Sequence, residues 1–487
     1  MSHTPSFGSL SRKHLLALAL VASLAGASCG ALYIYGSGDK LPAQFQVAGW
    51  QAGGLTHAQF QEQFDHQLKQ YASLPVHLVS SHPDVASKDL TLSQLGLVVQ
   101  RGALDQAMQR LFQGTLTERI EARWSLRHAK ISLPLTIDPD KLNAAVRQSW
   151  KELYAIQPLG ARRIVDPNDS IRYEPERSVL RFDTITLNKE LSAKLPSFTD
   201  KPPASQPLNV TLPFYTEAPA VTVESLQKQG VDRKIIEFTT SFPLSGSGRI
   251  HNIRSTATTI QDMLLAPGDI FDYSKIIEQT EAKFGYQEAP VILNGKLVPG
   301  VGGGICQVSS TLYNAVLRSG LEIVERRNHS LPVSYVPLGQ DATFANGYIN
   351  FKFRNNMGAY LLIRAVTTDN NVTVKLYGHM PPSDSYDIES KVIETIQPTI
   401  QYVHNPNIKR GATKLISKGK EGYVVETYRY KKVNGSVVSK ELISKDRYAP
   451  VPALFASNRA DDQPEDNNPN KNQAPILEDG VKGPNSR

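Results

Sequence analysis

Residues Leu15 to Tyr35 form a run of 21 apolar or small residues without a formal charge. A run of about that length crosses the roughly 30 Å hydrocarbon core of a bilayer as a helix, and few water-soluble folds can house it. The residues before it are polar and include Arg12 and Lys13. The basic flank therefore predicts a cytoplasmic N-terminus over 1–14, a single membrane pass over 15–35 and an extracytoplasmic bulk. Two other readings of the run stay open. Ala25, Ala27 and Ser28 offer a small-residue cleavage site for a secretory signal, although the run continues through Ala31 to Tyr35, past a normal signal core. Cys29 is a candidate lipoprotein cysteine, but Gly26 stands where a Leu-like residue is expected. All three readings place the rest of the chain outside the cytoplasm.

That remainder is long enough for two to four domains, since the chain has 487 residues, 40% hydrophobic and 20% charged. Two cysteines exclude a disulfide framework. A net charge of +7 suits loose association with an anionic wall or membrane surface, or simply a solvated exterior. Nucleic acid is excluded as a partner, because no basic cluster interleaves with aromatics and the topology places the chain away from it.

The second constraining stretch is Gly302-Gly303-Gly304, two residues ahead of Cys306. Each glycine costs about 1 kcal/mol inside a helix relative to Ala, so the triplet is there for positive φ or close backbone approach. Val308, Leu312 and Val316 then recur at four-residue spacing, with Gly320 placed to end a helix. Cys306 falls in or just before the first turn, where the helix dipole favours a thiolate and free amides can hold an oxyanion. The following LEIVERR reads as a strand ending at Asn328, His329 and Ser330. A helix of about 13 residues rises roughly 20 Å and a strand of about 8 covers roughly 26 Å, so an antiparallel return brings His329 level with Cys306. Asp341, in the turn-rich PLGQDAT before a strand over 348–354, is placed to orient the imidazole. The structural alternative makes Cys306 a small buried hydrophobe, His329 a satisfied turn histidine and Asp341 a turn residue bonding its own backbone.

The segments GGGICQVSSTLYNAV, ERRNHSLPVSYVPLGQDAT and INFKFRNN, with APGDIFDYSK, GYQEAPVILNGKLVPGVGGG and the pair Asn252-Ile253 upstream, resemble the VanW family over Asn252 to Asn356. Ser309-Ser310-Thr311 stands where members carry Ser-Thr-Thr, which preserves hydroxyls. The resemblance implies an α+β VanW domain over 240–380.

Between 44 and 239, helical spacing at Phe60, Phe64 and Leu68, at Leu104, Met108 and Leu111, and at Leu142, Val146 and Trp150 alternates with strand-like runs at 76–80, 130–137 and 178–187. This is α+β organisation, in one or two subdomains, with a Pro-rich boundary from Phe198 to Pro219. AGWQAGGLTHAQFQEQF followed by LTLSQLGL resembles the peptidoglycan-binding repeat that precedes VanW domains; the alternative is a spacer. Over 383–457 the pattern is strand-like again, with Asn434-Gly435 as a hairpin turn. Gly411, Gly419, Gly422 and Gly435 with YVVETYRY resemble the G-five (G5) domain, an extended all-β module of surface proteins. Tyr428 and Tyr430 read as sugar-stacking residues or as one face of a strand. The tail over 458–487, rich in Asn, Asp and Pro, reads as disordered. The expected whole is an α+β multidomain chain with an N-terminal membrane helix.

No metal site is expected, because the eleven histidines lack ligand spacing. No nucleotide or other cofactor is expected either, since GVGGGIC lacks the Lys-Ser/Thr of a phosphate loop. Two functions remain. One is a membrane-anchored protein associating with peptidoglycan or another wall polymer. The other is a thiol hydrolase or transpeptidase of wall peptides, with Cys306 as nucleophile, His329 as base, Asp341 as orienter, and Gly303, Gly304, Gln307, Ser309 and Ser310 at the oxyanion or substrate.

Overall fold

The computed structural model describes residues 12–199, 201, 206–243, 245–293, 296–458 and 476–483. A helix runs Arg12–Ser37, and within it Leu16–Ser37 is long and apolar enough to cross a membrane, with residues 16–35 all exposed and Gly36 buried. The chain divides into two compact units, residues 1–159 with 177–219 and residues 160–176 with 220–487.

In the first unit the helix His57–Ala72 opens on a capping box between Thr56 and Gln59 and buries Phe60, Phe64 and Tyr71. These rings join Leu78, Leu111, Leu142, Val146 and Trp150 in one core. Strand Pro75–Val79 lies between Leu208–Thr211, parallel, and Lys88–Thr91, antiparallel. The strand expected through 187 stops at Phe182, and Thr184–Lys194 is a helix. The carboxylate of Asp183 accepts hydrogen bonds from the amides of Ile185 and Thr186 and so starts that helix.

The second unit takes in residues 160–176 and 220–239, which the sequence groups with the preceding region. Asp169 explains the allegiance of the first of these segments. Its carboxylate receives Lys234 at 2.5 Å, Lys375 at 2.7 Å and the Tyr377 hydroxyl at 2.7 Å. The central antiparallel sheet orders Arg233–Ser241, Asn371–Gly378, Leu361–Thr367 and Met263–Leu265. Helices Ser247–Ile260, Tyr273–Phe284 and Ile305–Leu317 share its core, which includes Ile253, Tyr273, Leu312, Phe351, Ile363 and Val374.

The helix Ile305–Leu317, hereafter the site helix, is buried along all 13 residues, not along one apolar face. Its polar side chains are satisfied internally, as burial requires, except the Tyr313 hydroxyl, which is buried without a hydrogen-bond partner. Thr311 bonds the Gln307 carbonyl at 2.6 Å and the Thr240 hydroxyl at 2.7 Å, and Asn314 donates to the carbonyls of Ser310 and Gln340. The strands expected at 321–327 and 348–354 are shorter, Glu322–Glu325 and Lys352–Arg354.

Beyond this core lies an all-β region. Asp384–Ile396, Gly422–Val433 and Ser436–Tyr448 form one antiparallel sheet, and Ala453–Ser457 pairs with Ile400–His404 and Thr413–Ser417 in another. Asn434 and Gly435 turn the long hairpin with φ of 50° and 79°. Within the tail expected to be disordered, 459–475 and 484–487 lie outside the described residues, whereas 476–483 is ordered. Leu477–Glu478 is a strand antiparallel to Glu288–Leu293. Backbone pairing and burial of Glu478, Asp479 and Gly480 outweigh the polar composition there.

Candidate functional site

The site is built around the N-terminus of the site helix. Gly302 and Gly304 have φ of 98° and 106°, and a Cβ on Gly303 would stand 2.3 Å from the Pro290 carbonyl oxygen, so the turn needs glycine for both conformation and close approach. Asn252, fully buried, holds this turn from the neighbouring helix. Its amide donates to the carbonyls of Gly303 and Gln287, both at 3.0 Å, and its side-chain oxygen accepts the Gln287 amide at 2.8 Å. Gly303 thus contributes a carbonyl anchored by Asn252, and Gly304 an inward-facing amide.

Cys306 is fully buried, and its Sγ accepts the Phe344 amide at 3.1 Å. Burial, together with the negative charge of Asp479, pushes the thiol well above its ordinary range. His329 and Asp341 are joined. His329 Nδ1 lies 2.6 Å from Asp341 Oδ2, which also accepts the His329 amide at 2.7 Å. The other carboxylate oxygen accepts the Tyr448 hydroxyl at 2.5 Å and Arg326 at 3.2 Å. Burial would raise the Asp341 carboxyl, but the hydrogen bond and charge of His329 and the charge of Arg326 bring it down to about 2. For His329 burial would lower the pKa, and the Asp341 hydrogen bond and charge more than offset this and raise it. Nδ1 faces the carboxylate, and Nε2 is buried without a hydrogen-bond partner. Cys306 is therefore not hydrogen-bonded to the imidazole in this structure.

Gln307 is turned away from the helix end, donating to Thr240 and the Ser241 carbonyl and accepting from Arg249 at 2.9 Å. Ser309 donates to the Cys306 and Ala342 carbonyls, and Ser310 accepts the Ala342 amide at 3.0 Å. These three side chains hold the site helix to its neighbours.

Several residues escape a reading of the sequence. Arg326 makes two 2.6 Å bonds to Asp446, and Tyr448 reaches Asp341, so the all-β hairpin orients the carboxylate behind His329. Asp479 closes the other side. Its Oδ1 accepts the amides of Cys306 at 2.7 Å and Gly304 at 3.1 Å, and its Oδ2 pairs with Arg249 at 3.3 Å. The LEDG run carrying it is hidden in a polar tail, while the Asn252-Ile253 pair is the one legible signal for the helix bearing Arg249. Among the described residues no group of three or more His, Cys, Asp or Glu side chains could hold a metal ion.

Comparison with known proteins identifies the two halves of this arrangement. Residues 248–377 match the family model described as VanW like protein, and residues 387–456 match that of the G5 domain. The chain thus carries a VanW-like domain followed by a G5 domain. It is similar to the uncharacterized protein YoaR of Bacillus subtilis (strain 168), 38% identical over 171 residues, covering 35% of this chain and 56% of that protein. It is also similar to the vancomycin B-type resistance protein VanW of Enterococcus faecalis (strain ATCC 700802 / V583), 27% identical over 154 residues, covering 31% of this chain and 56% of that protein. The chain therefore spans just over half the length of the curated relatives it matches. Among solved structures, an IgA1 protease G5 domain is 29% identical, covers 16% of this chain and 94% of that one, and superposes with a TM-score of 0.13.

Proposed function

We propose that this chain is a single-pass membrane protein whose residues 1–14 face the cytoplasm and whose bulk faces the cell wall. There the region over 44–239, the VanW-like domain and the G5 domain associate with peptidoglycan or a related wall polymer. The observation that carries this reading is the apolar span Leu16–Ser37, exposed over 16–35, placed ahead of a VanW-like and a G5 domain. Protease added outside intact cells should remove everything beyond about residue 40 and leave the remainder in the membrane fraction. A mature N-terminus near residue 29, or a lipid on Cys29, would overturn the topology.

A second reading, thiol hydrolase or transpeptidase, is favoured by one specific arrangement. A buried His329–Asp341 pair leaves Nε2 unpartnered, and two amides converge on one anionic oxygen at the cysteine. In this reading the Cys306 thiol gives its proton to His329 Nε2 and the sulfur attacks a peptide carbonyl. The oxyanion takes the amides of Gly304 and Cys306, and the C–N bond breaks as the leaving amine takes the proton from His329. Water or a second amine then releases the acyl group from sulfur. Cys306→Ser should abolish turnover of wall peptides while the protein stays folded, and retained turnover would end this reading.

A further inference from the structure

Residues Ile476–Gly483 form a strap whose contacts are those of a bound peptide. Its backbone extends the hairpin that leads into the glycine turn: Leu477 and Glu478 pair with Leu293 and Ile292, and Val301 exchanges hydrogen bonds of 2.8 Å with Val481 and Lys482. Adding a strand to a sheet edge is a common way to hold an extended peptide. The groove is cut for close approach. A Cβ on Gly480 would stand 2.5 Å from a Val291 methyl, one on Gly302 3.0 Å from the Val481 amide, and one on Gly300 2.9 Å from the Lys482 carbonyl.

Two acidic side chains are read individually. Asp479 takes the amides of Gly304 and Cys306 and the Arg249 guanidinium, while Glu478 accepts the amide and hydroxyl of Ser330 at 3.0 and 3.1 Å. Both carboxylates lie close enough to His329 to raise its pKa, and the fully buried His329 Nε2 is left without a partner beside them. This polar recognition by residues in and around the VanW-like domain is spent on a segment lying outside both matched domains.

We propose that the groove is a binding site for an extended peptide bearing an acidic side chain followed by glycine, and that the strap is its resident, exchangeable occupant. The inference rests on the proposed reading only in making this the site where a wall peptide would enter. With the strap in place Cys306 is fully buried and its amide is held by Asp479; a peptide in trans must displace the strap.

The test uses the full chain with Cys29→Ser, which leaves Cys306 as the single thiol. Iodoacetamide labelling of Cys306 should be slow in that protein and at least about tenfold faster when Asp479→Ala or Gly480→Val weakens the strap. A synthetic peptide of sequence ILEDGVKG should restore protection, and ILENGVKG should not. Unchanged labelling in a folded strap variant, or equal behaviour of the two peptides, would overturn the proposal. If both variants fail to fold, hydrogen exchange on the unaltered strap decides. The amides of Val481 and Lys482 should exchange at least about tenfold faster than those of Leu361–Thr367, and equal protection would refute exchangeability. These readouts need neither wall polymer nor turnover, so they fail independently of the proposed function.

Discussion

Asp341→Asn removes the charge at the centre of the buried network while keeping the shape. Asp341 is 1% exposed and accepts from His329 twice, from Tyr448 and from Arg326. A carboxyl moved from its ordinary value near 4 down to about 2 contributes about 2 to 3 kcal/mol to folding. Its folded pKa is depressed, so this contribution is fully present above about pH 4 and is lost as pH falls through about 2. The variant also leaves Arg326 with Asp446 as its sole carboxylate, and breaking a buried pair costs up to about 3 to 5 kcal/mol. The expected loss at pH 7 is about 2 to 4 kcal/mol. For a unit of this size that lowers Tm by roughly 4 to 16 °C, at about 2 to 4 °C per kcal/mol. Calorimetry of both proteins from pH 7 to pH 2 measures this, and the carboxylate's own part of the gap should close as pH falls from about 4 towards 2. A loss below about 0.5 kcal/mol at pH 7, or a gap with no pH dependence, would refute the reasoning.

Gly304→Ala should lower stability by about 1 to 3 kcal/mol in urea titration, because φ is 106° and the new methyl would meet Arg249 Cγ at 3.0 Å. Asn252→Ala should cost about 2 to 4 kcal/mol by the same assay, since Gln287 and Gly303 lose buried partners. Tyr448→Phe should cost about 1 to 3 kcal/mol, because Asp341 loses a donor at 2.5 Å and the Gly339 amide loses its acceptor at 2.7 Å.

What the sequence disclosed and what it hid follow from the range of the interactions. The site helix was legible because the glycine triplet and the spacing of Val308, Leu312 and Val316 are local signals, and the helix runs Ile305–Leu317. Its enclosure on all sides was not, because the partners of Thr311 and Asn314 are Thr240 and the Gln340 carbonyl, set by tertiary packing. The His329–Asp341 pairing was reachable, since the two are only 12 positions apart in sequence. The contacts of Asp446 with Arg326 and of Tyr448 with Asp341 cross 120 and 107 residues and leave no local trace. The strap was hidden by its setting, since a short LEDG run needs the edge of Glu288–Leu293 to become a strand. At Asp183 a capping signal was present and was masked by the β-branched residues after it.

The wall-facing role is tested most directly by sedimenting the detergent-solubilised full chain with purified peptidoglycan sacculi across a salt series. The account predicts that the protein pellets with sacculi at moderate salt, where screening of its +7 charge has removed simple attraction. A protein that stays in the supernatant, or whose binding disappears entirely with salt, would contradict it.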